Sequence, residues 1–385
     1  MKLCPEELAC WLAFHQLLNT GFNRLAKPLL RGYGSLRDAW RSGDILRDTR
    51  LPEGARLKIQ EGRPRLSPER LLEECQRRGM GILTILDEEY PPNLLQISEH
   101  PVMLYYYGKK ALLNLPMIAV VGSRRCTGYG EIQAAAFSQA LAEAGVCVVS
   151  GMAKGIDSQA HLGALRAGGA TAAVLGCGAD VVYPSENRKL YQQIRQEGLA
   201  LSEFAPGTPA AAWRFPARNR IISGLCLGVL VIEGRAKSGA LITAELAGEQ
   251  GREVWALPGP VTNPASIGPL RLIQDGAALA ISPGDILRDL GILNQEGTSI
   301  PEAARGKPSG QAALFAPAAP EIPDAGAGLP PAEAGLLNLI SYTPAHVDEL
   351  LVSAGISPGG LYLGLTNLVR LSLIERLPGD YYQRL

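Results

Sequence analysis

The sequence predicts an α/β protein in which a doubly wound parallel sheet is flanked by an N-terminal helical module and a small C-terminal segment. Nine short apolar runs alternate with helical segments between residues 71 and 292. Apolar residues recur at helical spacing through residues 1–70, and a stretch rich in proline, alanine and glycine sets residues 331–385 apart. Strands that are apolar throughout and joined by crossover helices are typical of a parallel sheet buried on both faces.

The first 70 residues predict a compact helical module. ELACWLAFHQLL has apolar residues at helical spacing, and RLAKPLLRGYGSLRDAW predicts a helix–turn–helix unit broken by Gly32 and Gly34. A module of this size either binds a DNA backbone or is an appendage of the main domain.

The predicted sheet spans residues 71–292. Its strands are expected at 81–86, 102–108, 117–122, 146–151, 171–176, 199–204, 227–233, 253–259 and 277–282. In a doubly wound sheet, ligands bind at the carboxyl ends of the strands, so the loops after these runs are the candidate site.

Residues 293–330 are predicted to be a flexible linker, because a segment so rich in proline, alanine and glycine cannot bury a core. Residues 331–385 then show three short helical patterns and a hairpin turning at 378–380, which together describe a winged helix. Between Pro344 and Val369 this segment has no lysine or arginine. We therefore expect it to mediate a protein contact or support a dimer, and not to read a major groove.

Composition limits the function classes. The formal net charge is zero, so any binding of a polyanion must come from a local patch of cations. No apolar run reaches the length of a membrane span, and the N-terminus does not resemble a signal peptide. Seven scattered cysteines without a CxxC pair indicate the reduced thiols of a cytoplasmic protein, with neither a disulfide framework nor a zinc site.

The first candidate loop, VVGSRRCTGYG, contains Gly122, Ser123 and Arg124. Its glycine spacing does not match a dinucleotide fingerprint, and the next strand ends without the acid that would bind a ribose. The nearest approach to an ATP-binding loop, Gly234–Gly239, is followed by alanine where lysine is required. What remains is an anion site, in which Arg124 and the free N–H groups of a helix starting near Thr127 are expected to face the ligand.

Three further loops carry the same residue types. Each combines cations with glycine, serine or an aromatic ring: Lys154 and Gly155 in the second loop; Arg214, Phe215, Arg218, Asn219 and Arg220 in the third; Lys237, Ser238 and Gly239 in the fourth. Cations beside aromatic rings suit single-stranded nucleic acid, whose phosphates bind the cations and whose bases stack on the rings. Because the four loops follow successive strands, we expect them to meet at one edge of the sheet.

No catalytic machinery accompanies these loops in the sequence. His161 lies four residues after Asp157 on one helix and is interpreted as a packed histidine, since no second carboxylate or nucleophile joins it. We expect no catalytic residue, no metal and no cofactor, and a groove for a polyanion.

Four segments, VVGSRRCTGYG, VSGMAKGIDSQAHLGAL, FPARNRIISGL and SGALITAELAGEQGREVWALPG, resemble in order and spacing the DprA/Smf family of DNA-processing proteins. The resemblance covers about residues 70–290 and implies an extended Rossmann fold without enzymatic turnover. It further implies that the protein binds and protects single-stranded DNA, dimerises through that domain, and loads RecA recombinase during natural transformation or recombination. The N-terminal module, expected to be SAM-like or helix–hairpin–helix-like, and the winged-helix tail also match an arrangement common in that family.

Residue by residue, the resemblance assigns DNA contacts to Arg124, Lys154, Phe215, Arg218, Arg220, Lys237, Ser238 and Gly239. One departure concerns the third loop. Family members often carry a basic residue a few places before the Phe-Pro pair, whereas here Arg214 stands immediately before Phe215.

Two alternatives stay open at this point. The first is a nucleotide phosphoribohydrolase of the LOG type, in which Glu245 would be the catalytic acid, although the PGGxG sequence that precedes that glutamate is absent. The second is a regulator whose loops bind a free nucleotide.

Overall fold

The computed structural model of the protein describes residues 3–292, 330–340, 345–371, 373–377 and 380–384. The chain divides into two compact units, Met1–Ile300 and Pro301–Leu385. The predicted linker, 293–330, lies outside the described residues except for Pro330. The predicted domain boundaries therefore stay predictions.

Five helices form the N-terminal part of the first unit. They are α1 (Pro5–Leu18), α2 (Phe22–Tyr33), α3 (Leu36–Arg41), α4 (Glu53–Gly62) and α5 (Pro68–Arg77). Their core contains Trp11, Phe14 and Phe22, whose rings contact one another edge-on or stacked. Helix α5 begins at its Ser67 cap and extends past residue 70.

A buried carboxylate holds the turn between α2 and α3. The Glu7 side chain accepts hydrogen bonds from the N–H groups of Leu36 (2.8 Å) and Arg37 (2.9 Å) and from Trp11 Nε1 (3.1 Å). These N–H groups begin α3, where a helix leaves its donors unpaired. Because Glu7 already binds the N–H groups of Leu36 and Arg37, these two donors are not free to bind a DNA phosphate.

The main sheet has all nine strands that the sequence predicts. They are β1 (Gly81–Thr84), β2 (Met103–Gly108), β3 (Met117–Val121), β4 (Cys147–Ser150), β5 (Thr171–Leu175), β6 (Leu199–Ser202), β7 (Gly228–Val231), β8 (Glu253–Ala256) and β9 (Ala278–Leu279). Their order across the sheet is β1-β2-β6-β5-β4-β3-β7-β8-β9. From β3 the chain adds β4, β5 and β6 on one side, and it then returns to the other side of β3 to add β7, β8 and β9. In such sheets the crevice at this switch point, between β3 and β7, is the ligand site.

The sheet is not wholly parallel, because β1 and β2 run antiparallel to their neighbours. The connection from β2 to β3, residues 109–116, is short. A parallel connection requires a crossover of a dozen or more residues. An antiparallel β2 instead ends at the edge where β3 begins, so a short loop is sufficient.

Helices cover both faces of the sheet, as a doubly wound fold requires. They are α6 (Pro92–Leu95), α7 (Gly128–Glu143), α8 (Ile156–Arg166), α9 (Arg188–Glu197), α10 (Arg214–Leu225), α11 (Gly239–Glu249), α12 (Ile267–Gln274) and α13 (Pro283–Asp289). Along β3, Ile118 and Val120 pack with α7 and α8, while Ala119 and Val121 pack with α10 and α11. This alternation follows from the two-residue period of a strand.

The second unit contains three helices and three strands among its described residues. They are α14 (Pro331–Leu339), β10 (Ala345–His346), α15 (Val347–Ala354), α16 (Pro358–Arg370), β11 (Ile374–Leu377) and β12 (Tyr381–Arg384). Strands β11 and β12 pair as an antiparallel hairpin, but Pro378 and Gly379 in its turn lie outside the described residues. The assignment as a winged helix stays a prediction.

Two further observations concern the whole described chain. None of its helices combines the length and apolar content that a membrane crossing requires. All seven cysteines are free thiols.

Candidate functional site

A large cleft opens at the carboxyl edge of the sheet, beside the switch point. Its volume is about 730 Å³, and it is lined by the loops that follow β3, β4 and β7 and by the first turns of α10 and α11. Its charged lining consists of five cations and one carboxylate: Arg124, Arg125, Arg218, Arg235 and Lys237, with Asp157. We call this site the cationic cleft. In a chain of zero net charge, it concentrates positive charge at one place.

The loop after β3 forms one wall of the cationic cleft. Gly122 is required there because a Cβ would lie 2.6 Å from the Ile156 side chain and 2.9 Å from the Glu233 carbonyl oxygen. Ser123 Oγ accepts a hydrogen bond from the N–H of Arg125 at 3.1 Å. The Arg124 guanidinium lies over the Phe215 ring, 5.1 Å from its centroid, and within the described residues it has no acidic partner.

At the start of the helix that follows this loop, side chains of the protein bind two of the N–H groups, those of Thr127 and Gly130. Glu233 is buried, and its carboxylate accepts hydrogen bonds from the N–H of Thr127 at 2.9 Å and from the hydroxyl of Thr127 at 2.6 Å. Thr127 Oγ1 in turn caps Gly130. Glu233 thus occupies the cap residue of α7, and Thr127 occupies the N–H of Gly130. That this helix start binds a phosphate stays a prediction.

The loop after β4 carries Lys154 and Gly155. Gly155 adopts a φ of +75°, and a Cβ would lie 2.4 Å from the Ser123 carbonyl oxygen, so it packs the second loop against the first. The Lys154 ammonium forms an exposed ion pair with Glu186 at 2.6 Å. Lys154 lines a smaller cavity of about 90 Å³, whose lining shares Arg124, Phe215 and Arg218 with the cationic cleft.

Arg218 forms the floor of the cleft. Its guanidinium is buried and donates hydrogen bonds to the carbonyl oxygens of Gly151, at 2.6 Å, and of Val174. Burial lowers its pKa to about 10, the nearby Asp157 opposes this, and the like charge of Arg124 adds to it. Burial also raises the pKa of Asp157, against the opposing effect of Arg218. Arg218 thus joins the ends of β4 and β5 while keeping a positive charge beneath the cleft.

The start of α11 forms the opposite wall. Asn219 donates a hydrogen bond from Nδ2 to the Gly239 carbonyl oxygen at 3.2 Å, which fixes this turn against α10. No side chain caps α11, and the buried Ser238 Oγ has no hydrogen-bond partner among the described residues. Lys237 is exposed beside them. Helix α11 therefore begins without the side-chain cap that α7 has, and the N–H groups of such a terminus attract anions.

Three of the predicted site residues do not line either cavity. Gly155 packs the two loops together, and Arg214 donates to the Pro209 carbonyl oxygen and lies over the rings of Phe204 and Trp213. Arg220 forms an ion pair with the buried Glu203 and donates from Nε to the Glu99 carbonyl oxygen at 2.9 Å. These contacts within the protein favour structural roles for the three residues, and their assignment to DNA binding stays a prediction.

The ion pair of Arg220 belongs to a network that joins the helical module to the sheet. Glu203 also accepts a hydrogen bond from Asn23 Nδ2 at 2.6 Å, and Asn23 Oδ1 accepts one from the N–H of Val102 at 3.0 Å. Asn23 lies on α2 and Arg220 on α10. The network thus fixes α10, which carries Phe215, Arg218 and Asn219 to the cleft.

Sequence reasoning missed three residues that line the cleft: Arg125, Arg235 and Tyr183. Arg125 directly follows Arg124, and Arg235 stands two residues before Lys237, so both lie in loops that the sequence analysis identified. Their positions could therefore have predicted that they line the cleft. Tyr183 follows β5 by eight residues, and nothing in its local sequence indicates that it returns to this edge.

Groups that could support hydrolysis are not assembled in the described residues. His161 is fully buried, bonded from Nδ1 to Thr171 Oγ1 at 2.7 Å, and burial, with the charge of Arg218, lowers its pKa to about 3. Glu245 is exposed on α11 and lines neither cavity. No cluster of side chains that could hold a metal ion is found among the described residues.

These features define an α/β protein with a doubly wound sheet and a positively charged cleft at its switch point. The sequence model of the family described as DNA recombination-mediator protein A matches residues 81–291. The protein Smf of Synechocystis sp. is 36% identical over 99% of this chain and 100% of its own length. The chain belongs to the DprA/Smf family of DNA-processing proteins.

Other relatives agree with this membership. DNA processing protein DprA of Streptococcus pneumoniae is 48% identical over 54% of this chain and 73% of its own length. The X-ray structure of the same protein superposes with a TM-score of 0.65 at 39% identity, covering 75% of this chain and 99% of that one. DNA processing protein A of Helicobacter pylori, described for its single-stranded DNA binding mode, gives a TM-score of 0.50 at 30% identity, covering 55% and 95%.

The structural role of Arg220 is testable by its effect on stability. Arg220→Ala leaves the buried Glu203 carboxylate with Asn23 as its remaining side-chain partner, and removing one member of a buried pair costs about 3–5 kcal/mol. We expect the free energy of unfolding in urea to fall by that amount. The matched control is Arg24→Ala, which breaks an exposed pair with Glu99 and should change it by less than about 1 kcal/mol. Full stability of Arg220→Ala together with lost DNA binding would contradict the assignment.

Proposed function

We propose that this protein binds single-stranded DNA in the cationic cleft, as a non-catalytic DNA-processing protein. The observation that carries this proposal is the convergence of five cations, opposed by one carboxylate, around aromatic rings at the switch point of the sheet. Phosphates pair with the cations, and the open start of α11 adds unpaired N–H groups. The printed description of the Helicobacter pylori relative supports the same ligand class.

The rings favour a single strand over a duplex. Phe215 and Tyr183 line the cleft beside the guanidinium of Arg124. Aromatic rings hold single strands because unpaired bases can stack on them, whereas the faces of paired bases are hidden in the helix. A cleft that offers rings beside cations therefore discriminates between the two forms by their bases.

The cleft does not favour the hydrolytic alternative. Its lone carboxylate, Asp157, is buried opposite Arg218 and accepts a hydrogen bond from the N–H of Ala153. Glycoside and nucleotide hydrolysis require a carboxylate that can exchange protons with the substrate or with water. A free mononucleotide is a different candidate ligand, and its affinity is measured in the same titration as that of the strand.

Removing single cations tests the proposal. Arg124→Ala and Lys237→Ala should each weaken binding to a labelled oligodeoxythymidine strand several-fold. The slope of log K against log salt should become shallower by about 0.7 for each lost phosphate contact. Lys58→Ala, an exposed lysine on α4, is the matched control and should bind like wild type.

The same titration includes the duplex and a mononucleotide. Wild-type protein should bind the strand more tightly than either of them. Equal affinity for the duplex, or variants that bind like wild type, would contradict the proposal. Tight binding of the mononucleotide alone would favour a nucleotide-binding regulator.

The ion pair between Lys154 and Glu186 predicts that removing the charge of either partner changes DNA affinity in opposite directions. Glu186 holds the ammonium at 2.6 Å, and the pKa of its carboxyl group is lowered, chiefly by its hydrogen bond from Lys154. A phosphate must therefore compete with this carboxylate. Glu186→Gln should bind the strand more tightly than wild type, while Lys154→Ala should bind less tightly. An unchanged affinity in both variants would remove Lys154 from the binding path.

We propose further that the protein forms a homodimer through the Rossmann domain. Strand β9 ends the described sheet; Leu279 within it is 48% exposed, and Ile281, two residues further on, is 72% exposed. Exposed apolar side chains at an open sheet edge mark a surface that a partner covers. Ile281→Glu should lower the molar mass measured by light scattering from dimer to monomer, whereas Leu57→Glu on α4 should not. A wild-type monomer at micromolar concentration would contradict the proposal.

Loading of RecA recombinase is the last part of the proposed function. It is supported by membership of a family described as recombination mediators and not by a contact surface identified on this chain. On DNA coated with single-strand-binding protein, wild type should shorten the lag of RecA-dependent ATP hydrolysis, and Arg124→Ala should shorten it less. A lag that wild type does not change would contradict this role.

A further inference from the structure

A small apolar cavity lies beside the cationic cleft and is not explained by phosphate binding. Its volume is about 90 Å³, and its lining includes the apolar side chains of Met152, Leu175 and Cys177 and the rings of Tyr183 and Phe215. We call it the aromatic slot. Arg124 and Lys154 also line it, so a group that enters the slot stays within reach of the cations.

The Phe215 ring is already engaged in this structure. The Arg124 guanidinium lies 5.1 Å from its centroid, and the Tyr183 ring lies 5.3 Å from it at an interplanar angle of 31°. Phe215 is half-buried and packs closely on Gly176, where an added Cβ would lie 2.7 Å from the ring. These contacts indicate that the Phe215 ring positions the side chains of Arg124 and Tyr183.

Tyr183 is the accessible member of the pair. It is 44% exposed, although it lines both the cationic cleft and the aromatic slot. An exposed aromatic ring packed on a second ring, beside cations and above an apolar slot, provides the flat surface that a nucleobase stacks on.

The segment that carries Tyr183 is held firmly on both sides. Before it, Cys177 Sγ donates to the Val181 carbonyl oxygen at 3.3 Å. After it, Asn187 Nδ2 donates to the Met152 carbonyl oxygen and to Ser158 Oγ, both at 2.9 Å. A ring fixed in place before the ligand arrives loses little conformational freedom on binding.

We propose that Tyr183 is a base-stacking residue of the strand-binding site, and that the aromatic slot receives an unpaired nucleobase while Arg124 and Lys154 bind its flanking phosphates. Phe215 is then a positioning residue that holds Tyr183 and Arg124. This inference rests on the proposed function, since it names which part of the strand occupies which part of the site.

The test compares two strands of equal length, oligodeoxythymidine and its fully abasic counterpart, which carries the same phosphates without bases. Wild type should bind the abasic strand more weakly. Tyr183→Ala should lose roughly 5- to 150-fold in affinity for oligodeoxythymidine, the range of one lost base stack, and little for the abasic strand. Tyr183→Phe should behave like wild type.

Two further variants serve as controls for loss of structure. Tyr183→Leu retains an apolar side chain against Phe215 but has no aromatic face, so it should show the same selective loss as Tyr183→Ala. Tyr362→Ala removes a tyrosine of similar exposure from α16, and it should leave both affinities unchanged. Thermal unfolding of each variant verifies that it is folded.

The outcomes distinguish failure of the proposed function from failure of the base-stacking assignment. If wild type binds neither strand, the proposed function fails and the assignment of Tyr183 fails with it. If wild type prefers the strand with bases and the folded Tyr183→Ala and Tyr183→Leu variants keep that preference, the base-stacking assignment alone is overturned.

Discussion

The buried guanidinium of Arg218 is the interaction on which the site depends. It donates to the carbonyl oxygens of Gly151 and Val174 and lies close to the buried Asp157. A buried cation is tolerated when its donors are satisfied and an opposite charge lies near. By meeting these conditions, Arg218 joins β4, β5, α8 and α10 at the carboxyl edge and places a charge beneath the cleft.

The two helix starts at this edge show how the protein distributes its anion sites. At the N-terminus of α7, the cap residue Thr127 binds Gly130 and is itself bound by the buried Glu233 through both its N–H and its hydroxyl. The N-terminus of α11 has no side-chain cap and lies beside Lys237. Because a helix N-terminus attracts anions, this difference in capping favours α11 as the phosphate-binding helix start in the proposed function.

The sequence predicted the parts of this structure that follow from periodicity and topology. Apolar runs located all nine strands, and the switch-point rule brought Arg124, Arg218, Asn219 and Lys237 to one cleft. The sequence alone could not show which of Arg218 and Arg220, two residues apart on α10, faces the cleft. Which of them faces the cleft depends on Glu203, a carboxylate contributed by β6's end and held from α2 by Asn23.

Two contacts that the sequence does not indicate, those of Tyr183 and Glu233, share a cause. The Tyr183 ring packs on Phe215 at the cleft, and Glu233, just after β7, binds Thr127 at the start of α7, which follows the neighbouring strand β3. Neither contact leaves a periodic trace in the sequence, because each joins residues far apart in the chain. Such contacts become visible once the strand order is known.

The most direct measurement is a crystal structure of this protein with a short oligodeoxythymidine strand. The account predicts strand phosphates within hydrogen-bonding distance of Arg124 and of the N–H groups that begin α11, with the strand passing over the buried Arg218. A strand bound elsewhere on the protein, with the cationic cleft left open, would contradict it.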